Sequence, residues 1–132
     1  MNNKNRTIQF IYYLSVIVLF VLYLFPGSLI GYFLYNDLRI QPNMISNPAG
    51  TSINHLICFI YLSLIGVFGF FKNKQFKKIF IFLLLLSAIL EISHLIVPKR
   101  SFELFDLIGN ILGVLSVYCI AILYKWWKKK YE

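Results

Sequence analysis

The stretch IFIFLLLLSAILEISHLIVPKR, residues 79–100, decides the fold of this chain. Ile79–Leu90 carries no charge. After one acid, Glu91, the apolar run resumes to Val97 and stops at Pro98. A bilayer's hydrocarbon core takes about 20 apolar residues of helix, so a spanning helix is expected over about 77–97. Working outward, three more runs have the same character. Thr7–Phe25 and Ile53–Phe71 each hold 19 residues without a charge, and Leu107–Tyr124 holds 18. Helices satisfy their own backbone donors and acceptors, which lipid requires. The expectation is an all-α membrane protein, a four-transmembrane-helix bundle, with helices at about 7–25, 53–71, 77–97 and 104–124 and a long outer loop at 26–52.

Composition agrees. Of 132 residues, 59% are hydrophobic, and the mean hydropathy is +0.72, above the roughly half-apolar make-up of soluble domains. The spans and their connections leave no stretch for a soluble domain, so one domain over residues 1–132 is expected. The formal net charge is +8. In a soluble protein that would suggest nucleic acid. Here the charges sit in blocks beside the spans, and no nucleic-acid partner is expected. Lys4, Arg6, Lys72, Lys74, Lys77, Lys78, Lys125, Lys128, Lys129 and Lys130 fall on one side; Arg39, Lys99 and Arg100 fall on the other. The positive-inside rule then places both termini in the cytoplasm. Trp126, Trp127 and Tyr131 fit an interfacial anchor. The first run is long for a signal peptide and lacks a small-x-small cleavage site, so it is read as retained. Cys58 and Cys119 would differ in depth by roughly 10 Å at 1.5 Å per residue. Their spacing suggests neither a disulfide nor a metal site. No cofactor or metal is expected.

Pro26-Gly27 reads as the stop of the first helix. Within the outer loop, SLIGYFLYNDL (28–38) is too apolar for water and suits a short helix at the membrane surface; prolines and turn formers follow. Glu91 is the costly residue. It lies roughly 9 Å inside the outer end of its helix, where an acid costs about 2.5–3.5 kcal/mol and is normally turned inward with a partner. His94 shares its face. The hairpin through Arg100 returns Asp106 and Asn110 to comparable depths, and His55 enters at the outer edge of the second helix. These residues can converge on a polar pocket open to the outer leaflet. Arg100 is the natural countercharge for Glu91 and Asp106, or for a phosphate. The histidines can change charge near neutral pH. Plainer readings exist beside each. Glu91 can be an interhelical strut, His55 an interfacial residue, Arg100 and Lys99 loop charges, and Asp106 a partner of the helix dipole. Gly109 and Gly113 read as packing contacts, and Ser101 as an N-cap.

These residues resemble the signature of the VanZ-like membrane proteins. That signature has an acid, a glutamine three on, an arginine, an aspartate six later, an asparagine four later and a glycine three later. Here it reads Glu91, His94, Arg100, Asp106, Asn110, Gly113, and His55 matches the histidine early in the family's second helix. The resemblance covers about residues 51–118. His94 stands in place of the glutamine, and Thr51-Ser52 in place of an Asp-Lys pair. The resemblance implies a bacterial cytoplasmic membrane, an envelope role and a link to resistance against the glycopeptide teicoplanin.

Three functions follow as expectations. The first is binding of an amphiphilic or lipid-linked ligand, with membrane lipid as partner and His55, Glu91, His94, Arg100, Asp106 and Asn110 as ligand-binding residues. The second is a small accessory subunit beside other envelope membrane proteins. The third is a membrane enzyme on a lipid-linked substrate, with an acid and a histidine as base and partner. No nucleophile spacing supports the third, and no catalytic residue is assigned.

Overall fold

The computed structural model describes residues 3–44, 50, 52–72 and 74–131; Thr51, part of the expected outer loop at 45–49, and the Lys4 side chain lie outside the described residues. Their secondary structure is helical: α1 Asn3–Leu24, α2 Leu29–Tyr35, α3 Ser52–Phe70, α4 Phe76–Ser93 and α5 Leu104–Tyr131. Three of these are long and apolar enough to cross a membrane: Asn5–Leu24, Ser52–Phe70 and Leu104–Tyr131. The chain is therefore an all-α, multi-span membrane bundle. The remaining long helix, α4, has 18 residues and carries Lys77, Lys78 and Glu91 within them.

Buried positions recur with helical period and define the inward faces. On α1 they are Tyr12, Val16, Leu19 and Tyr23. On α3 they are His55, Phe59, Leu62, Gly66, Gly69 and their neighbours. On α5 they run from Asp106 through Gly109, Gly113 and Val117 to Ala121. The opposite faces expose large apolar side chains such as Phe10, Ile17, Phe68, Ile89 and Ile120, the surface a bilayer accepts. Helix α3 is central, packing on α1, α4 and, most extensively, α5. Two glycines allow the last contact. A methyl group on Gly109 would lie 2.7 Å from the Ser52 carbonyl oxygen, and one on Gly113 2.7 Å from that of Leu56. Backbone can approach backbone only where no Cβ intervenes.

Local chemistry sets the ends. Pro26-Gly27 follows α1, with Gly27 at φ +87°. Ser28 then caps α2, its Oγ accepting from the Gly31 amide at 2.9 Å, and Asn36 closes it in the left-handed region. The expected surface segment is thus a helix. The span expected over 77–97 instead ends at Ser93. There the backbone tightens to three-residue spacing, with His94 N–H donating to Glu91 O at 3.1 Å and Ile96 N–H to Ser93 O at 2.9 Å. Ser93 Oγ takes the Leu90 carbonyl at 2.6 Å. Ser101 does not cap α5. Helix α5 begins at Leu104, and Glu103 supplies the first carbonyl, accepting from Asp106 and Leu107. The same helix continues past 124 to Tyr131. Lysines and aromatic rings share that end: Lys125 Nζ lies 3.5 Å from the Phe76 ring centroid.

Candidate functional site

Five of the six residues singled out in the sequence are buried together at the end of the bundle that holds the α4–α5 turn. Exposure is 0% for Glu91 and Asn110, 3% for His94, and 5% for His55 and Asp106. Four reach the site by continuing their helices' inward stripes, and His94 reaches it as the residue that closes α4. His55 is the hub. Its Nε2 lies 3.2 Å from Asp106 Oδ2, and its Nδ1 lies 3.7 Å from Glu91 Oε2. It is therefore no interfacial side chain. Glu91 Oε1 meets His94 Nδ1 at 3.3 Å and accepts from the Glu103 backbone N–H at 3.1 Å. The acid of α4 thus fastens the start of α5, a strut in addition to whatever else it does.

Tyr23 of α1, which the sequence reading passed over, joins these residues. Its hydroxyl lies 2.8 Å from His55 Nδ1 and donates to Asn110 Oδ1 at 3.1 Å. Its ring stacks on His94 at 5.5 Å between centroids. Glu91 and Asn110 thus belong to one network through His55 and Tyr23. A hydroxyl has one proton, so when Tyr23 donates to Asn110 the His55 Nδ1–H must donate to Tyr23. Ser52 was also missed as a site residue. Its Oγ donates to Asp106 Oδ1 at 2.6 Å. Position 52, where the resembled signature has a lysine, thus still contacts the cluster's aspartate in this chain.

Arg100 corrects the expectation of a countercharge. Among the described residues it forms no salt bridge with Glu91 or Asp106. Its Nη1 donates to Gln41 Oε1 at 2.9 Å and its Nη2 to the Leu22 carbonyl at 2.7 Å, which ties the α4–α5 turn to α1 and to the segment after α2. Its Nε is buried without a hydrogen-bond partner among the described residues. Burial pulls the guanidinium's pKa down, with Tyr23 and Glu91 opposing. A desolvated cation of this kind gains from an anionic neighbour.

Two adjoining cavities flank the cluster. A polar chamber of about 190 Å³ is lined by Arg39, His55, His94, Lys99, Arg100 and Asp106, among others. A more apolar one of about 340 Å³ includes Leu19, Leu22, Ile30, Leu34 and Met44 in its walls. Ser28, Gln41, His55, His94 and Arg100 line both. A larger cavity of about 820 Å³ lies at the other end, between α1, α3 and α5, with Lys72 and Lys74 at its edge. None of the six sequence-derived site residues lines it.

A multi-span helical membrane protein with a buried histidine–carboxylate–tyrosine cluster at one end is the class that this fold and site define. The chain belongs to the VanZ/LLP1 family, whose model matches residues 10–125. The match extends beyond the resemblance at 51–118 to take in most of α1 and all of α2. No curated protein and no solved structure matches the chain.

Proposed function

We propose that this VanZ/LLP1 family member binds an anionic amphiphile, lipid or lipid-linked, in the paired cavities at its outer end. The observation that carries the reading is the junction of an apolar chamber and a polar one, sharing His55, His94 and Arg100, the polar one lined by three cations, Arg39, Lys99 and Arg100, and two acids, Glu103 and Asp106. An acyl chain suits the first. A phosphate or carboxylate headgroup suits the second, where Arg39, Lys99 and Arg100 converge. Glu91 and Asn110 hold His55 from behind, directly and through Tyr23, and Asp106 meets its Nε2 at the chamber wall.

The setting is a bacterial cytoplasmic membrane crossed four times, with both termini inside, by a single domain over residues 1–132. In support, α4 exposes Ile81, Phe82, Leu85 and Ile89 in the manner of a lipid-facing helix. Ten basic residues lie on the side opposite the cavities, by sequence position. An envelope ligand also accords with the glycopeptide-resistance role that the family resemblance implies.

Native mass spectrometry tests this reading. Wild-type protein released from mild detergent should retain an anionic amphiphile. In Arg100→Ala occupancy should fall by about tenfold, the consequence of losing a hydrogen bond to a charged group worth about 1.5–3 kcal/mol. Helicity of the variant is followed by circular dichroism. Wild-type protein that emerges bare, or a folded variant that retains the amphiphile equally, refutes the assignment.

A further inference from the structure

We propose that His55, Glu91 and Asp106 form a binding site for a divalent transition-metal ion of the zinc class. The sequence spacing pointed to no metal, because the three residues lie on three different helices. Folding brings one donor atom from each to within 4.8 Å of the others. Two ligands at about 2.1 Å from a tetrahedral zinc lie roughly 3.4 Å apart. The 3.2 Å from His55 Nε2 to Asp106 Oδ2 is of that size, and the Glu91 donor lies within the same 4.8 Å.

Charge balance points the same way. Glu91 is fully buried, and the expected countercharge, Arg100, is committed to Gln41 and the Leu22 carbonyl. Glu91 Oε2 has no hydrogen-bond partner among the described residues, although its atom is buried. A buried carboxylate oxygen left so is costly unless paired or bound to a metal.

The outer supports are in place as well. Glu91 Oε1 is held by His94 Nδ1 and the Glu103 amide, and Asp106 Oδ1 by Ser52. These bonds leave Oε2 and Oδ2 turned to His55. Metal-ligating histidines and carboxylates are commonly held in this fashion. With Tyr23 donating to Asn110, His55 Nδ1 carries its proton, and Nε2 faces a carboxylate. In that arrangement the Nε2 lone pair faces Asp106 Oδ2, as an ion held between the two would require. One imidazole and two carboxylates suit zinc better than calcium, which takes six to eight oxygens. His55 and Asp106 also line the polar chamber, which gives an ion a route inward.

This proposal stands apart from the amphiphile reading, and chelation separates the two. The protein is purified through a tag without histidines, its metal content is measured, and chelated protein is titrated with Zn²⁺ and Co²⁺. Wild type should carry about one equivalent of metal, rise in melting temperature with Zn²⁺ and give a visible Co²⁺ spectrum. His55→Ala and Glu91→Gln should each weaken binding by at least about tenfold. Wild-type protein with no metal, no Co²⁺ spectrum and no Zn²⁺-dependent shift would overturn the site, whatever the variants do. So would undiminished binding in folded His55→Ala and Glu91→Gln, because the ion would then sit elsewhere. Retention of the amphiphile after chelation bears on the cavities and leaves this result unaffected.

Discussion

Glu91 shows how one residue's cost is met. An acid at this depth is turned inward, and its neighbours are chosen accordingly: His94 three residues on, the Glu103 amide across the turn, and His55 on α3. That inward turn was legible from Glu91's place in an apolar run. Tyr23 was not legible. A tyrosine near a helix end reads as an interfacial anchor, and nothing local ties residue 23 to residue 110. Its hydroxyl nevertheless serves two buried partners. Tyr23→Phe should keep the stacking on His94 and lose both hydrogen bonds. A loss of about 1–3 kcal/mol is expected, the cost of leaving buried polar groups unsatisfied. Thermal unfolding in detergent measures it; an unchanged midpoint would remove Tyr23 from the network. Arg100 illustrates a different limit. Its charge was readable, but its partners, a glutamine side chain and a backbone carbonyl, carry no charge pattern for the sequence to show.

Among the elements, the helices were legible from hydropathy and their boundaries less so. α4 stops at Ser93 where the backbone tightens to three-residue spacing, while Leu95, Ile96 and Val97 remain apolar. Hydropathy cannot separate those turns from helix. α5 outruns its apolar stretch because lysines and aromatic residues near the interface continue a helix as readily as leucine does. The glycines are where element and site meet. Gly109 and Gly113 let α5 lie against the α3 backbone, and that approach brings Asp106 to His55 and Ser52. Gly113→Ala would push a methyl against a carbonyl oxygen. It should cost about 1–3 kcal/mol, the usual range for overpacking. Gly66→Ala meets side-chain atoms, Ile79 Cγ2 at 3.2 Å and the Tyr12 ring at 3.4 Å, instead of a carbonyl oxygen at 2.7 Å, so it should cost less. Paired melting curves compare the two, and equal losses would contradict the close α3–α5 approach.

For the whole molecule, the sequence yielded a helical membrane bundle because lipid permits few alternatives. It also yielded the polar hairpin, because antiparallel neighbours joined by a short turn lie side by side. It did not yield the contribution of α1 or the two-chamber shape, which depend on how α1, α2 and residues 38–44 sit against α3 and the α4–α5 turn. The central claim is that hydrophilic strips from separate helices meet in one network instead of facing acyl chains. A double-mutant cycle on His55→Ala and Glu91→Gln, read by unfolding in detergent, tests it most directly. Coupled sites depart from additivity by about 0.5–3 kcal/mol, whereas independent ones add within about 0.5 kcal/mol. The double variant should be more stable than the sum of the single losses implies, by about 1 kcal/mol or more. Additive losses would mean that α3 and α4 do not share the site.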